Sequence, residues 1–313
     1  MHALVDIVFP VFGIILAGYL AGRVRILGAA SSEALNRFVY YFALPPLLFL
    51  STARAPVDQV LNLPFIAASL LGAAATLLVA LPGSRVFFGL RDPAALALHG
   101  LAAVFANTGY MGIPLFIAAF GPGHALPAVV VNMFVTLLAL GGAILVFDLA
   151  ARTRRRRGSV LGDLARTLGA NPILLAPFLG LLFGALGLAL PSPLAHLLEL
   201  LGAAAAPAAL FAIGLSLVGR SLSGQLAEVG WIALLKLGVQ PLFTWLLVRY
   251  VFALDPFWAK AAVLLAALPT GALVFVISQQ FNVKVATGSA AIIVTTIGSV
   301  ATLSLLLVWL GIG

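Results

Sequence analysis

Asn107 and Thr108 stand in the run Val104-Phe105-Ala106-Asn107-Thr108-Gly109-Tyr110-Met111-Gly112-Ile113-Pro114-Leu115-Phe116, at the centre of an apolar segment covering about 94–120. Polar groups at that depth have no bulk water to bond, so they must meet protein or line a cavity. The same run carries the means to open one. Pro114 has no N–H and frees the carbonyl four residues back, that of Tyr110, while Gly109 and Gly112 loosen the backbone. A second segment, about 256–281, has Pro269-Thr270-Gly271 at its own centre. Beyond each break a half-helix starts near mid-membrane, presenting unpaired N–H groups and the positive end of its dipole. Two such ends facing each other predict a site for a small anion, and a carboxylate suits it best. Asn107 is the leading ligand, because its amide can donate to a carboxylate and accept from a backbone N–H. Its plainer role is to cap the interrupted helix. Thr108, Gly109, Thr270 and Gly271 complete the predicted substrate site, although a membrane threonine can instead bond its own helix. Pro114 and Pro269 are read as architectural.

Four further residues could contribute. Asn132 lies on the next apolar segment, where it either lines the same cavity or bonds a neighbouring helix. Lys236 sits about eight residues into a later span, on the order of 12 Å from its end and too deep to reach water comfortably. Gln240 lies one turn on, on the same face. Lys236 could attract the anion directly, or stand behind the two breaks as a fixed charge; the plain alternative is a lysine paired for packing. His99 could relay a proton at the inner approach to the first broken segment, or simply mark a membrane interface.

The elements that must hold these residues are membrane helices. Of 313 residues, 63% are hydrophobic and 8% charged, with a mean hydropathy of +1.19. An ordinary soluble domain carries about 25% charged residues, so the composition predicts an all-α polytopic membrane protein. The net charge of +8 does not point to nucleic acid, because the basic residues sit in short loops between apolar spans. The absence of cysteine excludes disulfides and thiolate chemistry. The acidic and histidine residues are scattered, without H-E-x-x-H or an acidic cluster, which argues against a metalloenzyme and predicts no cofactor. The start Met1-His2-Ala3-Leu4-Val5-Asp6 lacks a basic n-region and reads as a retained helix. Asp6 and Asp148 fall at span ends and read as interfacial.

Ten spans are expected, at about 3–22, 33–53, 63–82, 94–120, 125–150, 170–190, 194–219, 227–252, 256–281 and 286–310. The third has an uncertain end, since Pro82-Gly83 falls there while Val86-Phe87-Phe88 could extend it. With the N-terminus outside, thirteen Lys and Arg side chains fall inside and only Arg54, Arg249 and Lys260 outside. That bias places both termini on the outer face of the inner membrane. The basic run Arg152–Arg157 divides the chain into residues 1–151, a linker at 152–169, and 170–313. Five spans in each half make the second half inverted relative to the first. Pro10-Val11-Phe12-Gly13 in the first span is echoed by Pro177-Phe178-Leu179-Gly180 in the sixth. Pro46 and Phe49 are echoed by Pro207 and Phe211, and Thr108-Gly109 by Thr270-Gly271. The order of these echoes predicts a 5+5 inverted repeat with broken helices four and nine.

Asn107-Thr108-Gly109-Tyr110-Met111-Gly112-Ile113-Pro114-Leu115 resembles the fourth-helix signature of the auxin efflux carrier family. Leu268-Pro269-Thr270-Gly271, with Gln280-Phe281-Asn282-Val283, is similar to its ninth-helix counterpart. That family includes plant PIN exporters and bacterial carriers of malonate and other carboxylates, within the bile/arsenite/riboflavin transporter superfamily. The resemblance implies a dimerising scaffold of spans 1, 2, 6 and 7. It also implies a moving transport domain of spans 3–5 and 8–10, in which helices four and nine cross and carry substrate by an elevator motion. The long cytosolic loop of many plant members is replaced here by the short basic linker. The function expected is secondary transport of a small mono- or dicarboxylate such as malonate, malate or an auxin-like acid, by a homodimer in the bilayer. The alternatives are a sodium-coupled organic-anion symporter of the same architecture and a membrane sensor that binds without transport.

Overall fold

The computed structural model describes residues 7–151, 169–219 and 226–312. The N-terminal start, the basic run after Ala151 with Arg166, and Arg220 lie outside the described residues. The regular structure is helical. Among the described residues the one extended pairing is an isolated antiparallel bridge between Ala106 and Thr270.

The chain runs as α1 (Phe9–Arg23), α2 (Ala29–Phe38), α3 (Leu44–Ala53), α4 (Leu63–Phe88), α5 (Pro93–Val104), α6 (Ile113–Phe120) and α7 (Leu126–Ala151). After the linker come α8 (Pro172–Ala185), α9 (Ser192–Ala203), α10 (Ala205–Leu217), α11 (Leu226–Leu234), α12 (Gln240–Tyr250), α13 (Pro256–Ala266), α14 (Leu273–Gln280) and α15 (Val285–Trp309). Among the described residues, four continuous helical stretches are long and apolar enough to cross a membrane: Val57–Phe88, Ser192–Leu217, Leu226–Tyr250 and Val285–Trp309. The described helices overlap the apolar segments read from the sequence. The third runs through Pro82 to Phe88, so the longer of its two possible ends is the observed one.

Where helices start, the sequence supplies caps. Asn62, Asp92, Asn171 and Asp255 each accept a hydrogen bond from a backbone N–H two or three residues on. A proline follows each of them at the first or second helical position, where its missing N–H costs nothing. Inside the chain, proline has a different consequence. π turns stand just before prolines at Val39–Ala43 before Pro45, Thr108–Gly112 before Pro114, and Leu235–Val239 before Pro241. A proline ring cannot accept the ordinary i→i−4 geometry, and one extra residue in the preceding turn relieves the clash.

Two glycine-mediated contacts organise the first, second, sixth and seventh spans. α1 packs on α10, and α3 packs on α8. At Gly214 and Gly18 an added Cβ would strike the backbone of Ile15 and Phe211 respectively; at Gly180 and Gly184 it would strike that of Phe49 and Ala53. Backbone cannot step aside as a side-chain tip can, so these approaches require glycine. Gly214→Val is therefore expected to separate α1 from α10 and abolish the monodisperse peak in detergent size-exclusion chromatography. Gly13→Val, where nothing lies within 4 Å, should leave the peak unchanged. A similar profile for the two variants would contradict this packing.

Candidate functional site

The two interrupted segments meet at their breaks. α5 ends at Val104, and Phe105 turns into extended geometry (φ −76°, ψ 102°). On the other side α13 ends at Ala266 and α14 begins at Leu273. Asn107 donates its backbone N–H to the Pro269 carbonyl at 2.9 Å, and Gly271 donates to the Phe105 carbonyl at 2.8 Å. These two bonds satisfy backbone groups that a broken membrane helix would otherwise leave unpaired. Gly271 permits the approach, since a Cβ there would enter the Phe105 ring. The first break therefore falls at residues 105–107, several residues before Pro114. The proline expected to cause it is absorbed by the π turn that follows.

The helix ends on the C-terminal side of each first half are capped by side chains from one segment. Lys236 donates from Nζ to the Ala266 carbonyl at 2.6 Å, and Gln240 donates from Nε2 to the Val104 carbonyl at 3.1 Å. Ala266 and Val104 are the last residues of α13 and α5, where carbonyls lack intrahelical donors and the dipole favours positive charge. Lys236 is fully buried. Thr270 adds to the same junction, donating from Oγ1 to the Ala102 carbonyl at 2.8 Å and from its N–H to Thr295 Oγ1 at 3.1 Å. Of the predicted site residues, Lys236, Gln240, Thr270 and Gly271 thus build the junction and do not line a cavity.

The starts of the second halves do face one. A cavity of about 410 Å³ is lined by Phe105 to Tyr110, by Asn132 and Thr136 of α7, and by Ala272, Leu273, Phe275 and Val276 at the start of α14. The rest of the lining comes from Glu33, Asn36 and Arg37 of α2, from Tyr40 and Tyr41 after it, from Asn171 and Ile173, and from Ile213 and Ser216 of α10. Asn107, Thr108, Gly109 and Asn132 come together here. Thr108 donates from Oγ1 to Asn132 Oδ1 at 2.9 Å, a bond between helices and not the local one. The Asn107 side chain makes no capping bond. Asn132 Nδ2 is buried and has no hydrogen-bond partner. A buried amide donor without an acceptor, beside a cavity, is a group waiting for one. Gly109 leaves room for it, as a Cβ there would come 3.1 Å from Asn132 Oδ1.

Sequence reasoning missed Arg37, Tyr40 and Asn36. Arg37 read as a topology charge, yet it lines the cavity, where Glu33 pairs with it at 2.7 Å. The i, i+4 spacing of Glu33 and Arg37 at the start of an apolar span was the available signal. His99 is 1% exposed, is not among the residues lining this cavity, and bonds Glu228 at 3.0 Å and Ser84 at 3.3 Å.

Membrane-length apolar helices, paired helix breaks and a cavity lined in part by polar side chains are features a membrane transporter needs. The family of membrane transport proteins matches residues 3–307. A protein of Rhizobium meliloti (strain 1021), provisionally named a malonate transporter, is 34% identical over 307 residues, covering 98% of this chain and 96% of its own length. The uncharacterized transporter YfdV of Escherichia coli (strain K12) is 26% identical, with 94% and 93% covered. The lysosomal cholesterol signaling protein of Mus musculus is 26% identical across 91% of this chain, which spans 35% of that larger protein. The chain belongs to the membrane transport protein family, that of the auxin efflux carriers. It is a transporter and not an enzyme.

Proposed function

We propose that the protein is a secondary carrier of small organic anions, with malonate the first candidate, and that the anion binds in the cavity beside Asn107. The observation that carries this reading is the unpartnered Asn132 amide, next to Asn107 and to the starts of two helices. A carboxylate between these groups would receive charge-assisted hydrogen bonds in a site of low dielectric. Arg37 and Asn36, which also line the cavity, suit a second carboxylate, and the name of the Rhizobium relative supports the dicarboxylate class.

In this reading ten spans form a 5+5 inverted repeat, with helices four and nine crossing at the Ala106–Thr270 bridge. The matching pairs α1 with α10 and α3 with α8, and the Asp-Pro starts of both broken segments, support the repeat. The cavity lies between spans 2, 6 and 7 on one side and spans 4, 5 and 9 on the other. A transport domain sliding against a dimeric scaffold would carry one wall and its ligand across, as an elevator. Positive-inside charge bias puts both termini outside the inner membrane, and the cavity then opens inward past Glu33 and Arg37. Lys236 stands behind the junction, bonded to the Ala266 carbonyl, and in this reading it removes the need for a sodium ion there.

The test is uptake of malonate, malate, succinate and an indole carboxylate by proteoliposomes, with and without sodium. Saturable uptake that falls by about tenfold or more in Asn107→Ala is expected. Binding without flux would favour a sensor, sodium dependence would favour the symporter, and a flat response to every carboxylate would remove the anion site.

A further inference from the structure

Four elements bring a closed set of polar side chains together away from the cavity. Glu228 on α11 is 1% exposed. Its carboxylate accepts from Lys284 Nζ at 2.8 and 3.1 Å, from His99 Nε2 at 3.0 Å and from Thr287 Oγ1 at 3.3 Å. The other nitrogen of His99 lies 3.3 Å from Ser84 Oγ. Leu98, beside His99 in sequence, and Ile232, one turn on from Glu228, belong to a buried apolar cluster. A buried carboxylate, an ammonium and an imidazole are costly in a membrane domain, and packing alone would be better served by hydrocarbon.

The arrangement contains one anion and two groups able to be cations. With Nε2–H donating to Glu228, a neutral His99 accepts at Nδ1 from the Ser84 hydroxyl, and the cluster is balanced by Lys284 alone. If His99 takes a proton, imidazolium and ammonium compete for a single carboxylate. Lys284 is the member that can yield, because its side chain is 25% exposed while Glu228 and His99 are each 1%. It also sits in the left-handed region (φ 46°, ψ 39°) at the start of α15, a conformation a lysine holds only when its contacts keep it there. Lys284 closes the turn from α14, whose first residues line the cavity. The charged groups that act on His99 are Glu228 and Lys284, and those that act on Glu228 are Lys284 and His99. Arg85, Arg91 and Asp92, at the facing ends of α4 and α5, are exposed and make none of the cluster's bonds.

We propose that the His99–Glu228 pair is a proton-binding site, with Lys284 as the built-in cation that a bound proton displaces, coupling anion transport to protons. The coupling rests on the carrier reading; the proton site itself does not. The sequence contains four histidines, so imidazole nitrogen NMR of the labelled protein in nanodiscs resolves His99, assigned by its loss in His99→Gln. The His99 ring nitrogens should show a protonation step, and its midpoint should move in Lys284→Met. An imidazole that never titrates, or a midpoint indifferent to Lys284, overturns the site. In proteoliposomes holding a pH dye, malonate flux should change the internal pH, and in His99→Gln the pH change per malonate carried should fall by at least about 90%. Malonate flux with no pH change in the native protein overturns the coupling. A titrating His99 with no malonate flux sustains the proton site and strikes instead at the carrier reading.

Discussion

Asn132→Leu is expected to raise the malonate concentration for half-maximal uptake by about 10- to 100-fold while leaving the melting temperature unchanged or slightly higher. The Nδ2 group contributes a hydrogen bond to a charged acceptor, worth about 1.5–3 kcal/mol, each 1.4 kcal/mol being tenfold in affinity. In the ligand-free protein that same group is buried without a partner, a state that costs about 1–3 kcal/mol. Leucine removes this cost and fills a similar volume. What is lost is the bond from Thr108, worth about 1 kcal/mol, and the threonine hydroxyl can turn to a carbonyl of its own helix. Binding and stability should thus move apart. Radiolabelled malonate uptake and a thermal-shift measurement on the same preparation decide it. A lower melting temperature with intact uptake would make Asn132 a packing residue.

Lys236→Met is expected to do the opposite: a lower melting temperature, by about 5–10 °C, and a maximal uptake rate reduced tenfold or more with little change in half-saturation. Lys236 bonds the Ala266 carbonyl at the end of α13 and does not line the cavity. Removing it strips a charge-assisted bond from a buried helix end and orphans that carbonyl, together about 3 kcal/mol. Methionine packs into the space but donates nothing. The junction of the two broken helices should then hold less firmly, so the whole moving body suffers while the anion's own contacts remain. A variant with normal rate and stability would show that the ammonium is incidental. A large loss of affinity would show instead that its charge acts on the anion.

The contrast between these two residues illustrates what a linear reading can reach. Both were legible as candidates because a polar side chain deep in an apolar span is costly wherever it points. Which way each points was not legible. Lys236 and Gln240 share a face one turn apart, but only the approach of α5 and α13 to α12 gives them two helix ends to cap. Thr270 and Gly271 follow a break, yet the backbone bridge to Phe105 and Asn107 turns them into the junction and leaves Ala272 and Leu273 at the cavity. Arg37 looked like one of thirteen inner charges, because charge bias says which side a residue is on and nothing about what faces it. Glu228 drew no notice at the edge of its span, although it holds the bonds of three other residues.

The order and approximate ends of the helices, and the positions of the breaks to within several residues, follow from the sequence alone. The reasons are local: apolar length sets a membrane helix, Asn or Asp before proline starts one, and proline with glycine interrupts it. The cavity and the buried charge cluster were decided only by the tertiary structure. Each assembles side chains from spans far apart in the chain, and no periodicity records which helices become neighbours. The glycines at Gly18, Gly180, Gly184 and Gly214 show the same division. Their presence is written in the sequence, but only the packed structure shows which backbone each one admits.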